Sequence, residues 1–307
     1  MFPLRSVPLF DCHTHPDLFP IEEWPELLRA AQLKGVHGCI AAGVWWDRLE
    51  PFLSDFREWV AERTESAEHF RSLFLADSAF PVLTSIGLHP MEVAKRWRDS
   101  GGRFDVALAN NECRKMCETA YRFRSFLWAV GETGFDLAES SLEGWMSKDE
   151  LLSAQMHAFR CCSELAHELS LPLIVHSRSA WGLTKKQLEN AVSAMSLRFM
   201  IHCFPGSSED AQWLAQWRGF ASFGGVLTWS KARRMQEAFK KISYDCLLFE
   251  TDAPDLAPEF PDGHRPSRNE PQNLELVLRR AAAMKGCSES QLVAFNFNNL
   301  ICFLGIG

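Results

Sequence analysis

Leu9-Phe10-Asp11-Cys12-His13-Thr14-His15 opens with a short apolar run, residues 9–11, and two imidazoles follow it. The run is too short for a helix, and it reads as a strand covered on both faces. In a strand, residues two apart point the same way, so His13 and His15 can face one point. Seven further runs of the same kind follow, at residues 38–42, 82–86, 126–130, 173–176, 199–202, 221–224 and 247–251. Helical patterns lie between or after them, at residues 21–34, 49–63, 148–170, 183–194, 209–217, 233–241 and 274–285. Residues 288–303 read as a closing helix. Eight strands alternating with helices predict a parallel sheet of the α/β class, and the count fits a single-domain (β/α)8 TIM barrel spanning residues 1–307. A doubly wound open sheet is the alternative. One stretch, residues 92–124, is long for a connection between the third and fourth strands. It contains Gly101-Gly102 and a helical segment near residues 111–121, and reads as an enlarged loop at the rim.

Composition sets the outer limits. The chain has 307 residues, of which 47% are hydrophobic and 23% charged, enough to bury a substantial core. Its net charge of −7 argues against a surface that coats nucleic acid, but leaves room for a local cationic groove. The ten cysteines are scattered, with no C-x-x-C pair, and read as reduced, buried small residues rather than a zinc site. The N-terminus shows no basic segment followed by an apolar one, and no run approaches the roughly 18 apolar residues of a membrane span. A cytoplasmic protein with no membrane partner is expected.

The residues able to do chemistry fall at the ends of the runs. His13 and His15 follow the first, His89 the third and Glu132 the fourth, while His176 and Arg178 close the fifth, His202 the sixth and Asp252 the eighth. In a barrel all these ends meet on one face, where active sites lie. Each has a plain reading as well. His176 and His202 can be core histidines, Asp252 a helix cap and Arg178 a solvated cation. A carboxylate such as Glu132 at the end of an apolar run is costly without a partner. Imidazoles mixed with carboxylates suit Zn, Mn, Fe or Co, and more oxygen ligands suit Mg.

In order, Asp11-Cys12-His13-Thr14-His15-Pro16-Asp17, Gly87-Leu88-His89-Pro90, Gly131-Glu132-Thr133-Gly134-Phe135-Asp136, His176-Ser177-Arg178, His202-Cys203-Phe204-Pro205-Gly206, Glu250-Thr251-Asp252-Ala253-Pro254 and Arg268-Asn269-Glu270-Pro271 resemble the successive motifs of the TatD-type metal-dependent hydrolases. The resemblance runs from about residue 9 to 303. It implies an amidohydrolase-like barrel with two divalent metal ions, Mg or Mn by preference. By that analogy His13, His15 and Asp252 hold one ion, His176 and His202 the other, and Glu132 bridges them. Asp252 also serves as general base, and His89 and Arg178 contact a substrate phosphate. Pro16 and Pro205 depart from the family pattern, where Leu and Thr are common, and Pro205 removes a backbone N–H beside His202.

Three functions fit these expectations. The first is a 3′–5′ exodeoxyribonuclease acting on single-stranded DNA or 3′ ends, with Trp45, Trp46, Trp97 and Trp229 as stacking platforms and His264, Arg265 and Arg268 as a basic cluster. The second is a hydrolase of a small ester, amide or phosphoester on the same metals. The third is an accessory subunit with partner proteins, as in the multi-protein systems, some antiviral, that include TatD-like chains.

Overall fold

A computed structural model describes residues 7–74 and 79–306. Residues 1–6, where a leader was sought, lie outside the described part. The strands are β1 (Leu9–Thr14), β2 (Val36–Ala41), β3 (Val82–Ile86), β4 (Leu127–Asp136), β5 (Leu173–Arg178), β6 (Phe199–Ile201), β7 (Phe220–Phe223) and β8 (Leu247–Phe249). They form one sheet in sequence order, every pair parallel. The seam between β8 and β1 is closed just beyond β8, where Asp252 N donates to His13 O at 2.9 Å and His15 N donates to Ala253 O at 2.8 Å. The expected (β/α)8 barrel is therefore what the chain forms, and the open sheet is not.

The helices are α1 (Trp24–Leu33), α2 (Leu49–Asp55), α3 (Ala67–Ser72), α4 (Pro90–Arg96), α5 (Val106–Arg122), α6 (Glu139–Leu142), α7 (Lys148–Glu168), α8 (Trp181–Met195), α9 (Asp210–Gln216), α10 (Arg233–Lys241), α11 (Leu274–Lys285) and α12 (Glu289–Leu304). The helix expected to run to residue 63 stops at Asp55, and Val60 forms a bridge to Val82. The long 92–124 stretch is mostly ordered helix. His89 caps α4 through its own ring, and Asp105 caps α5 by accepting from Leu108 N at 2.9 Å.

Each strand sends at least one residue into an inner apolar cluster: Phe10, Ile40, Leu83, Trp128, Ile174, Met200, Phe220 and Leu248. This packed interior is a plug, not a pore. The other face of the strands packs under the helices, as Val36, Val82, Leu127, Leu173 and Leu247 do. Burial on both faces explains why the runs show no clean alternation. Register shifts interrupt the β1–β2, β3–β4 and β4–β5 ladders. Such irregularities re-aim side chains, and here they fall on the strands that carry His13 and Glu132.

Candidate metal centre

Glu132 lies at the middle of the mouth on β4, 1% exposed. Its Oε1 is 3.1 Å from His13 Nε2 and 3.4 Å from His202 Nε2, and its Oε2 is 3.4 Å from His89 Nε2. Asp252, just past β8, sets Oδ1 3.3 Å from His15 Nε2 and 3.5 Å from His13 Nε2. His176 Nδ1 and His202 Nε2 face each other at 3.0 Å. All six expected ligands thus converge, five of them buried and His176 nearly so.

The electrostatics follow from this crowding. Burial opposes the charge on Glu132, but His13, His202 and His89 outweigh it and hold the carboxyl well below its usual range. Asp252 is likewise held low against burial, by its hydrogen bond to His15 and by the surrounding imidazoles. Burial pulls His15 down, yet the Asp252 and Glu132 carboxylates overcome it and push the imidazole up to about 10. His202 and His89 go the other way, down to about 3 and about 4, chiefly through burial.

The donor set fits divalent cations. Two ligand atoms each about 2.1 Å from one centre stand about 3.0–3.4 Å apart at common bond angles. The separations from 3.0 to 3.5 Å match this. Both Glu132 oxygens, both His13 ring nitrogens and His202 Nδ1 are buried without a well-formed hydrogen bond. Buried polar atoms left in that state are costly, and a cation in the cluster would satisfy the Glu132 oxygens and His13 Nε2, the ones that face it. Overlapping triads able to hold an ion are His13-His15-Glu132, His13-His202-Asp252 and His89-Glu132-His176. A fourth, His202-Cys203-Glu250, is less open, because Glu250 already accepts from Cys203 N and Ser222 Oγ.

Asp136, at the end of β4, had no role assigned from the sequence. It is fully buried and accepts from His176 Nε2 at 3.2 Å, Arg178 Nε at 2.7 Å and Ser141 Oγ at 2.9 Å. By accepting a hydrogen bond from His176 Nε2–H it leaves Nδ1 bare toward His202, the usual carboxylate–histidine arrangement at a metal. Asp11 at β1 instead holds backbone in place, accepting from His13 N and from the Thr251 amide and hydroxyl. The signal was present in both motifs: a carboxylate beside a ligand on a buried strand.

The two residues expected at a substrate phosphate stand at the rim of this cluster. His89 Nδ1 accepts from Met91 N at 3.2 Å, so its proton sits on Nε2 and points at Glu132. Arg178 is tethered by Asp136 and Ser140, with its side chain 45% exposed. Of the four tryptophans expected as platforms, Trp45 and Trp97 are 1% and 0% exposed and belong to the core, while Trp46 and Trp229 remain half-buried. Arg268 is committed to Glu23 and Glu270, whereas Arg265 stacks over Trp229 at 4.4 Å. All ten cysteines are free thiols, but only five are buried as expected, with four half-buried and Cys302 exposed. No described helix is long and apolar enough to cross a membrane.

Residues 10–305 match the family model described as TatD related DNase. The uncharacterized metal-dependent hydrolase YcfH of Escherichia coli is 30% identical over 295 residues, covering 95% of this chain and 93% of that one. YabD of Bacillus subtilis, also an uncharacterized metal-dependent hydrolase, is 31% identical over 175 residues, 56% of this chain and 62% of its own. The 3′-5′ ssDNA/RNA exonuclease TatD of Citrobacter rodentium is 29% identical over 73% of this chain and 77% of its own. Among solved structures, the TatD homologue YjjV of Escherichia coli superposes with a TM-score of 0.76 at 21% identity, over 97% of this chain and 98% of that one. With a family match over nearly all its length, the chain belongs to the TatD related DNase family and is a metal-dependent hydrolase.

Proposed function

We propose that the protein is a divalent-metal-dependent 3′–5′ exodeoxyribonuclease. The observation that carries this reading is the central carboxylate of Glu132, flanked by His13 and His202 at one oxygen and His89 at the other. In this reading His13, His15 and Asp252 hold one ion, His176 and His202 a second, and Glu132 lies between. When bound, Mg or Mn supplies the positive charge that acidifies water and offsets charge building on the phosphate.

The chain's own groups do the rest. Asp252 is a carboxylate at neutral pH and removes a proton from the attacking water. The neutral His89 presents Nε2–H, a donor for a phosphate oxygen. Arg178, with Nε fixed on Asp136, offers the outer edge of its guanidinium to another. Exonuclease activity in relatives of about 30% identity supports DNA as the substrate.

A second reading, a hydrolase of small phosphoesters, is favoured by the burial of Trp45 and Trp97, which removes two of the four expected stacking faces. End-labelled single-stranded DNA with Mg²⁺ or Mn²⁺ separates the two. Wild type is expected to shorten it stepwise from the 3′ end, with Glu132→Ala and Asp252→Asn slower by about 10²–10⁴-fold. Intact DNA beside active hydrolysis of bis(4-nitrophenyl) phosphate would overturn the exonuclease and leave the second reading.

A further inference from the structure

Cations around the mouth divide into two groups. Arg48 is matched by Asp17, Lys95 and Arg96 by Glu92, and Arg268 by Glu23 and Glu270. In the segments that follow β7 and β8 the pattern reverses. Lys231, Arg233, Arg234 and Arg265 are all exposed, and among the described residues none of the four forms an ion pair.

These side chains are grouped by construction. Ser230 donates to Glu259 from both N (3.1 Å) and Oγ (3.3 Å), and Thr228 Oγ1 accepts from Glu259 N at 2.7 Å. The two loops are thereby tied together next to Asp252. Trp229 is fixed by Nε1 donating to Ala257 O at 2.9 Å, and Arg265 lies over its ring at 4.4 Å. Stacking holds a guanidinium flat without consuming its N–H donors, which a carboxylate partner would do. Arg233 and Arg234 occupy the first turn of α10, which has no acidic residue. Cations there oppose the helix dipole and cost stability, so helix stability does not account for them. In a protein of net charge −7, this is a local concentration of positive charge on the rim past β7 and β8, met only at longer range by Glu209, whose carboxyl the Ser207 hydroxyl and then Arg234 help hold low.

We infer that Lys231, Arg233, Arg234 and Arg265 form a track for the phosphodiester backbone of a single DNA strand, leading from the metal centre across the β7–β8 rim, with Trp229 as its floor. This rests on the exonuclease reading for the chemistry at the centre, but the track itself is read out by binding. It also accounts for an acidic protein acting on a polyanion, since the attraction is needed only along one side of the mouth.

The test is fluorescence anisotropy of a 5′-fluorescein oligothymidylate, titrated at several salt concentrations in Ca²⁺. Wild type is compared with Lys231→Ala/Arg233→Ala/Arg234→Ala and with Arg265→Gln. Melting curves first establish that the variants fold. Wild type is expected to bind with a log–log salt slope of about −0.7 per neutralised phosphate. The triple variant is expected to bind at least about tenfold more weakly with a slope shallower by about two units, and Arg265→Gln more weakly with a slope shallower by less than one. Variants that bind with wild-type affinity and slope overturn the track. Wild type that hydrolyses bis(4-nitrophenyl) phosphate yet binds no oligothymidylate overturns both the track and DNA as substrate. Rim-dependent binding without cleavage in Mg²⁺ or Mn²⁺ overturns the exonuclease and supports the track.

Discussion

Two donors share one oxygen of Asp136: His176 Nε2 at 3.2 Å and Arg178 Nε at 2.7 Å. One carboxylate therefore fixes both the imidazole proposed to face a metal and the arginine proposed to meet the substrate. Asp136→Ala should weaken Mn²⁺ binding about 10–100-fold, because His176 loses the acceptor that keeps Nδ1 bare. Asp136→Asn keeps an acceptor without the charge and should recover part of the loss. Calorimetric titration with Mn²⁺ measures this. A fall in melting temperature with unchanged Mn²⁺ affinity in both variants would reduce Asp136 to a structural role. At this scale the sequence was legible for the residues that converge at the mouth and not for their supports. His13, His15, Glu132, His176, His202 and Asp252 could be read because each closes or directly follows an apolar run, where an ionisable group needs a reason to be. Asp136 and Asp11 sit in the same motifs, but their work depends on which neighbour each faces, and that is set by ladder register. The burial of Trp45 and Trp97 was hidden for a similar reason. Both precede or end helices on predicted loops, yet they pack against one another, ring centroids 6.1 Å apart, under the β3–β4 connection.

Element by element, the strands were legible because two-sided burial leaves a continuous apolar signature, and the long helices because theirs repeats every 3.6 residues. The short α3, α4 and α6 escaped, being too brief to show a period. β4 was read as ending at residue 130 but continues to Asp136, through Gly131 and Gly134 at positive φ. A side chain at Gly134 would meet His176 O at 2.1 Å, so the glycine permits the close approach of β5 that brings His176 to the centre. The closing helix α12 does more than cover the barrel floor. Asn296 is fully buried, accepts from Phe249 N at 2.9 Å and donates to Phe10 O at 2.8 Å, so one side chain fastens β8 to β1 at the seam. Asn296→Ala should cost about 3 kcal/mol, since it strips partners from two buried backbone groups and leaves a small void. Urea unfolding tests this, and a loss below about 0.5 kcal/mol would mean that the seam does not depend on this link.

For the molecule as a whole, metal and fold are coupled through protons. Without metal, His15 is pushed up to about 10, because the Asp252 and Glu132 carboxylates overcome the burial that would lower it. Its unfolded value is about 6.5. A folded pKa above the unfolded one means stability that is fully present below about pH 6.5 and lost as pH rises through about 10. Bound metal replaces that proton, so loaded protein should lack this dependence, and metal affinity should instead improve as pH rises and the competing proton leaves. Calorimetric melting between pH 6.5 and 10 can separate the contributions. Chelator-treated wild type should lose melting temperature across the window more steeply than chelator-treated His15→Gln. Mn²⁺-loaded wild type should melt higher throughout, because a ligand that binds only the folded state stabilises it. Parallel curves for chelated wild type and His15→Gln would sink the linkage and place the His15 proton outside the folding balance. A melting temperature unmoved by Mn²⁺ at every pH would go further, and remove the cation from the cluster that His13, Glu132 and His202 build around their unsatisfied buried atoms.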